Sequence, residues 1–412
     1  MMFRFMKIKA IAVAFLCASL QIANAQSNVF SNIPVAKIEF INLNTEPCGK
    51  SCLRDLAKSK KIFSFMARFD KKIDDDDLQN LMVAYSKQIG LYYRVRFDLL
   101  DNKLEVALLI PRKTIGKYSL TTIETILSYL AFRDIDFRFK VFDSVDEKAE
   151  SLSNAIDSLQ KEKFNFIIAV LSKEQNLSML QNLNLPIYIP TLKKPQYWEG
   201  GDNIIFGGID YDAQIQLLLK EVNRSNLIAY NDDSALGAMI GKSLEAQVAQ
   251  NGKFNFYQEV VTNKDAANFS ANLTKKQSNI ANGNLFLNTR IIISGLLLSQ
   301  IGLLKQMPDK IFSTQINYNP SILSLLRGIN TRNLVIANSI GKVDSRLVEY
   351  GSLLSSDIKY DWVNYSTALG VDLFLSKMKD DIKRYFGEEL EDSQIAYKTQ
   401  LYGIVNGAFA QY

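Results

Sequence analysis

From Lys103 onward, short apolar runs alternate with amphipathic stretches along the chain. Leu104 to Ile110 is an apolar strand, Leu120 to Leu130 carries a helical stripe, and Phe137 to Phe142 alternates as a strand should. Lys148 to Leu159 is helical, and Phe166 to Leu171 is a continuous apolar run, as in a strand buried on both faces of a parallel sheet. Leu177 to Leu183 reads as a further helix and Pro186 to Pro190 as a short strand. The pattern then restarts at Ile204-Ile205-Phe206, with a helix from Tyr211 to Val222. Strands follow at Asn226 to Tyr230, Phe254 to Val261, Gly283 to Asn288, Lys310 to Thr314 and Asn333 to Ala337. Helices are predicted between them at Gly237 to Ala249, Ala266 to Lys276 and Ile291 to Lys305. Two successive β-α series predict an α/β fold of two doubly wound, Rossmann-like lobes with a central cleft.

The stretch before Lys103 follows a different pattern. Val35 to Leu43 alternates as a strand, whereas Leu53, Leu56, Ile62, Phe63 and Phe65, then Leu78, Leu81, Met82 and Tyr85, form helical stripes. Residues 26–102 are therefore expected to form a small N-terminal α+β extension, and 103–412 the two-lobed body. Asp74 to Asp77 precede the second stripe, where acidic side chains cap a helix and meet the positive end of its dipole. Residues 1–25 read as a signal peptide: Arg4, Lys7 and Lys9, an apolar core from Ile11 to Leu16, and Ala23-Asn24-Ala25 as the cleavage site. That core is short of the ~20 residues of a spanning helix. The nearest later stretch, Ile291 to Leu304, is interrupted by Ser294, Gly295, Ser299 and Gln300, so no membrane span is expected after cleavage at Ala25.

Composition narrows the chemistry. Losing Arg4, Lys7 and Lys9 lowers the formal net charge from +5 to +2 and leaves no dense basic patch for nucleic acid. There is no histidine, which removes Ser-His-Asp and Cys-His catalysis and the commonest zinc ligand. No calcium loop, metal site or cofactor motif is recognised. Cys48 and Cys52 are the only cysteines left after export, and a disulfide across Gly49-Lys50-Ser51 is expected. Gly237 to Ser243 imitates a phosphate-binding loop but has three residues between its glycines instead of four, and reads as the start of a helix. Glu388, Glu389 and Glu391 lie in a charged stretch expected to be solvated, so no catalytic pair is assigned and no enzyme is expected. Tyr197-Trp198 either lines a cleft or covers an apolar edge.

The ordered set of segments resembles the type I periplasmic solute-binding proteins of the leucine/isoleucine/valine kind. Val106 to Pro111 resembles the opening strand, Ile168 to Ser172 the third strand and its serine-bearing loop, and Leu185 to Thr191 the next strand and ligand loop. Asn203 to Leu218 is similar to the crossing into the second lobe, Leu227 to Ser234 with Gly237 to that lobe's strand-turn-helix, and Asp361-Trp362 through Leu373 to the late helix. The resemblance implies a periplasmic receptor that closes on a small polar solute such as an amino acid, amide or peptide, and hands it to an inner-membrane permease. The matching ligand positions are Ser172, Thr191, Thr289, Arg290 and Gln315. Phe312 to Asn317 lacks the carboxylate that the family usually places there for an amine. The loop from Arg112 to Gly116 lacks the family's small residues; its basic side chains either meet an anion or are solvated. The added N-terminal unit is similar in layout to the penicillin-binding-protein activators, implying as the alternative a cell-envelope regulator or scaffold that binds another envelope protein.

Overall fold

The computed structural model describes residues 48–70, 72–88, 104–116, 118–270, 279–281, 283–378 and 382–412. The signal sequence, its cleavage site and the strand expected at Val35 to Leu43 lie outside these residues. The chain divides into two compact units, Met1–Phe97 and Asp98–Tyr412.

In the first unit, helices Lys50–Lys58, Ile62–Arg68 and Asp76–Gln88 bury Leu53, Phe65 and Leu78 together with Cys48. The Cys48–Cys52 disulfide joins the first turn of the first helix to Cys48, the residue before its N-cap Gly49. Asp75 caps the third helix by accepting the Leu78 N–H at 3.3 Å, and its other oxygen takes Arg54 at 2.6 Å. The acidic run is thus a helix start, as its position before the apolar stripe predicts.

The second unit holds two seven-stranded sheets. The first is built from β1 (Leu104–Ile110), β2 (Phe137–Asp143), β3 (Phe166–Ala169), β4 (Ile187–Ile189), β5 (Ile204–Phe206), β11 (Glu389–Glu391) and β12 (Gln394–Ala396), in the order 11-12-5-4-3-1-2. The second comprises β6 (Asn226–Asp232), β7 (Asn255–Val261), β8 (Gly283–Asn288), β9 (Lys310–Ser313), β10 (Leu334–Asn338), β13 (Gln400–Val405) and β14 (Ala408–Gln411), in the order 14-13-10-9-8-6-7. Each sheet therefore starts from five parallel strands in the order 2-1-3-4-5, extended by a pair drawn from the C-terminal region. Successive side chains of β1 point to opposite faces. Val106, Leu108 and Ile110 meet the side covered by helices Tyr118–Phe132 and Trp362–Met378, while Ala107 and Leu109 meet helix Ala149–Gln160. Full burial of each such Leu or Ile contributes ~1.5–3 kcal/mol, which is why these runs fix the centre of the sheet.

Three local readings need correction. The helix expected at Leu177 to Leu183 is a 3-10 turn, Glu174–Leu180, because Asn176 is tied to Glu147 by side-chain hydrogen bonds. The stretch around Glu389 and Glu391 is not merely a charged surface: it is the edge strand β11, and Glu388 accepts a hydrogen bond from Tyr365. The helix read at Ala266 to Lys276 begins at Asn263, capped by Thr262, and its described part ends at Ala267. Gly237 is inside helix Ala235–Asn251, which Ser234 caps, so no phosphate loop exists there. A Cβ at Gly237 would stand 2.3 Å from Asp232 Oδ1, so the glycine permits a close approach of helix and strand end.

Candidate functional site

In sheets of this order, the C-terminal ends of the parallel strands carry the loops that can meet a ligand. The chain passes between the lobes three times at these edges, through 207–210, 339–344 and 397–399. Hydrogen bonds fasten the crossings to one another. Gly207 O accepts Ser366 Oγ–H at 2.8 Å and Tyr397 O–H at 2.7 Å, Tyr188 and Ser366 hydroxyls lie 2.9 Å apart, and the Gly341 N–H reaches Tyr365 at 3.1 Å. Burial pushes the Tyr188, Tyr365 and Tyr397 phenols up, with the Glu388 carboxylate adding to the rise at Tyr365. They remain neutral hydrogen-bonding groups at any pH where the protein works. A Cβ at Gly207 would sit 2.0 Å from the Tyr188 hydroxyl oxygen, so this crossing depends on a glycine.

On the first lobe, Ser172 and Thr191 are neighbours in space. The Thr191 hydroxyl donates to Leu171 O at 2.5 Å and accepts its N–H at 3.2 Å, zipping the ends of β3 and β4 together. Ser172 is engaged by a residue that sequence reasoning missed. The buried Glu147 carboxylate, on the loop after β2, accepts the Ser172 N–H at 2.8 Å and its Oγ–H at 2.6 Å. Lys173 N–H and the Asn176 amide complete the set, each at 3.1 Å. Arg112 lies beside Asp143, 3.7 Å away with both side chains open to solvent, as the solvated alternative for that loop anticipates.

On the second lobe, the buried Asp232 carboxylate at the end of β6 accepts Arg290 N–H at 2.6 Å and Nε–H at 2.9 Å; Arg290 also reaches Asp233 at 2.7 Å. Burial raises the pKa of Asp232, but the bonds from Ser234 and Arg290 more than offset this and hold it below the ordinary value. Thr289 is fully buried, its hydroxyl 2.6 Å from that of Ser294 and its carbonyl bonded to Asn317 at 3.1 Å. Gln315 joins a network at the crossings. Its Oε1 accepts Ser339 N–H at 2.7 Å, its N–H donates to Gln214 at 2.8 Å, and Gln214 in turn holds the Ser339 hydroxyl at 2.7 Å. Ser339 lies 2.8 Å from Thr399, so one network spans a lobe helix, a strand-end loop and two crossings.

The structure thus gathers the sequence-selected residues within each lobe, Ser172 with Thr191, and Thr289 with Arg290 and Gln315 through Asn317. The missed partners Glu147, Asp232 and Ser339 were legible only as residues in loops or at ends after strands, and Gln214 only as a polar position inside helix Tyr211–Leu219. Two surface concavities lie elsewhere: one of about 430 Å³ beside β2, bordered by Lys140, Asp143 and Glu162, and one of about 320 Å³ bordered by Gly341, Glu388 and Tyr397. Neither is lined by the five selected residues. Tyr197-Trp198 covers an edge: the indole packs at 5.6 Å on Phe206, while the exposed Tyr197 donates to Glu174. Among the described residues, no group of three or more Cys, Asp or Glu side chains is placed to hold a metal ion, and no helix is long and apolar enough to cross a membrane.

No protein-family model and no curated protein matches the sequence. Solved structures do match. A protein of Rhodospirillum rubrum assigned to branched-chain amino acid ABC transport superposes with a TM-score of 0.58 at 12% identity, over 76% of this chain and 100% of that one. A solute-binding protein of an ABC transporter from Rhodopseudomonas palustris, in complex with 3,4-dihydroxybenzoic acid, gives 0.55 at 12% identity, over 75% and 96%. The leucine-binding protein LivK of Thermotoga maritima gives 0.51 at 12% identity, over 75% and 97%. With its paired 2-1-3-4-5 sheets and three crossings, the second unit of this chain has the two-lobed fold of the type I periplasmic solute-binding proteins.

Proposed function

We propose that this chain is an exported receptor that takes a small polar solute between its lobes and passes it to a membrane permease. The observation that carries this reading is Gln315. Its side chain is 6% exposed, and the Ser339 N–H fixes which end is the oxygen. Its Nε2 is then a buried donor with no partner among the described residues, a state that costs ~1–3 kcal/mol until an acceptor arrives. The neighbouring Thr314 hydroxyl is likewise buried and unpartnered. A solute meeting Gln315 would act directly on the crossing at Ser339, which couples binding to lobe closure. The signal-like N-terminus and the ABC-transport proteins that share the fold support the export and the permease.

Trp362 offers the readout, since its ring lies 4.5 Å from Tyr397 and 6.0 Å from Tyr365, beside the crossings. With Trp198→Phe, Trp362 becomes the sole tryptophan. Titration with amino acids, amides, peptides and sugars is expected to give a saturable emission change for one class. Gln315→Ala should weaken that response about tenfold, the equivalent of ~1.4 kcal/mol. A flat response across all classes removes the receptor reading.

The second reading, an envelope regulator or scaffold using this fold for protein contacts, is favoured by one surface. Tyr350, Leu353 and Leu354 are exposed together at the end of helix Ser345–Leu353, with Leu353 78% accessible. Exposed apolar groups so placed suit a protein partner.

A further inference from the structure

The lobe edges differ in what they leave unsatisfied. After β3, two main-chain N–H groups, a hydroxyl and an amide converge on one point, the arrangement that a carboxylate, with its four acceptor positions, fills best. That point is occupied by Glu147, 3% exposed and also anchored through its main-chain oxygen to Asn176. Among the described residues it forms no ion pair with lysine or arginine, so peptide and side-chain dipoles alone hold its charge. To enter here, a ligand carboxylate would have to expel Glu147 from all four of its donors. Across the crossings, Asp232 and Asp233 share the single cation Arg290, which leaves that edge one negative charge in excess. Among the described residues, the buried side-chain atoms left without a partner in that loop region, Gln315 Nε2, Thr314 Oγ1, Asn317 Oδ1 and Asn288 Oδ1, are all uncharged.

We infer that the solute is uncharged, an amide- or hydroxyl-bearing molecule, and that Glu147 permanently fills the carboxylate position of the first lobe. This rests on the receptor reading above. A zwitterion would have to bring its carboxylate out of water to edges where Glu147 and Asp232 already take the donors, a cost that a neutral solute avoids. Neutral amides and hydroxyls can both accept from Gln315 and bond to Thr314.

The test compares charged probes with neutral ones. Leucine and N-acetyl-leucinamide share a side chain, acetate supplies a bare carboxylate, and glucose supplies neutral hydroxyls. Thermal midpoints of the mature chain are measured with each at millimolar concentration and constant ionic strength. N-acetyl-leucinamide or glucose is expected to raise the wild-type midpoint by at least about 2 °C, with leucine and acetate inert. In Glu147→Ala, acetate should restore part of the lost midpoint, an effect that disappears in Glu147→Ala/Ser172→Ala. Glu147→Gln, which leaves no room for acetate, should show no such rescue. A wild-type rise with leucine or acetate that Ser172→Ala removes overturns the inference and leaves the receptor reading standing. Acetate rescue of Glu147→Ala without a wild-type response to any probe overturns the neutral-solute class together with the receptor reading. The wild-type comparison decides the solute's charge even if Glu147→Ala fails to fold.

Discussion

The two lobes repeat one topology but settle charge at their strand-end loops in opposite ways. In the first, Glu147 is buried and surrounded by dipoles, with no ion pair to it among the described residues. In the second, the buried Asp232 shares Arg290, whose own side chain is about half exposed. The first arrangement is rigid, because every donor around Glu147 loses its acceptor if the acid leaves. The second has slack, because Arg290 can turn into water. One fold therefore supplies a closed strand-end loop and an adjustable one.

The largest expected effect comes from breaking the rigid side. Glu147→Ala strands four donors and should lower stability by about 3–5 kcal/mol, measured as the fall in the urea midpoint. The matching change on the other lobe, Asp232→Ala, should cost less, about 1–3 kcal/mol, since Arg290 regains water; equal losses would erase the contrast. A pH series sharpens it further. The native pKa of Asp232 is depressed, so its contribution is present above the ordinary carboxylate value and is lost as pH falls through the lowered one. Asp232→Asn should therefore flatten the acid limb of the stability profile between roughly pH 4 and lower values. The smallest effect belongs to a surface pair at the far end of the 339–344 crossing. Arg346 beside Asp344 holds that exposed carboxyl down at about 2, so Asp344→Asn should alter the same limb only slightly, between its ordinary pKa of 3.8 and about 2.

Much of the frame was readable because the central strands are apolar on both faces. Phe166 to Ala169 and Leu104 to Ile110 can satisfy such a pattern only inside a covered parallel sheet. The C-terminal strands were not readable, because β11 presents Glu389 and Glu391 to water and keeps only Leu390 inward. An edge strand of three residues owes its existence to its partner more than to its own pattern. The same holds at the site. Ser172, Thr191, Thr289, Arg290 and Gln315 were marked by lying after strands, yet their partners depend on which loops the sheet order brings together. Nothing near Glu147 in sequence announces Ser172, since the helix Ala149–Gln160 and β3 separate them.

The C-terminal strand pairs also bear on when this protein can fold. β12 joins β5 through Gln394 and Phe206, and β13 joins β10 through Ala337 and Leu401, so each sheet waits for chain made long after its first five strands. Contacts so distant in sequence form late and close large loops. During synthesis neither lobe could complete its sheet until the chain beyond Gln394 had emerged. Under the export proposed above, that delay gives the chain time to thread unfolded through a membrane, and cutting it before β12 should leave both lobes open to proteolysis at once.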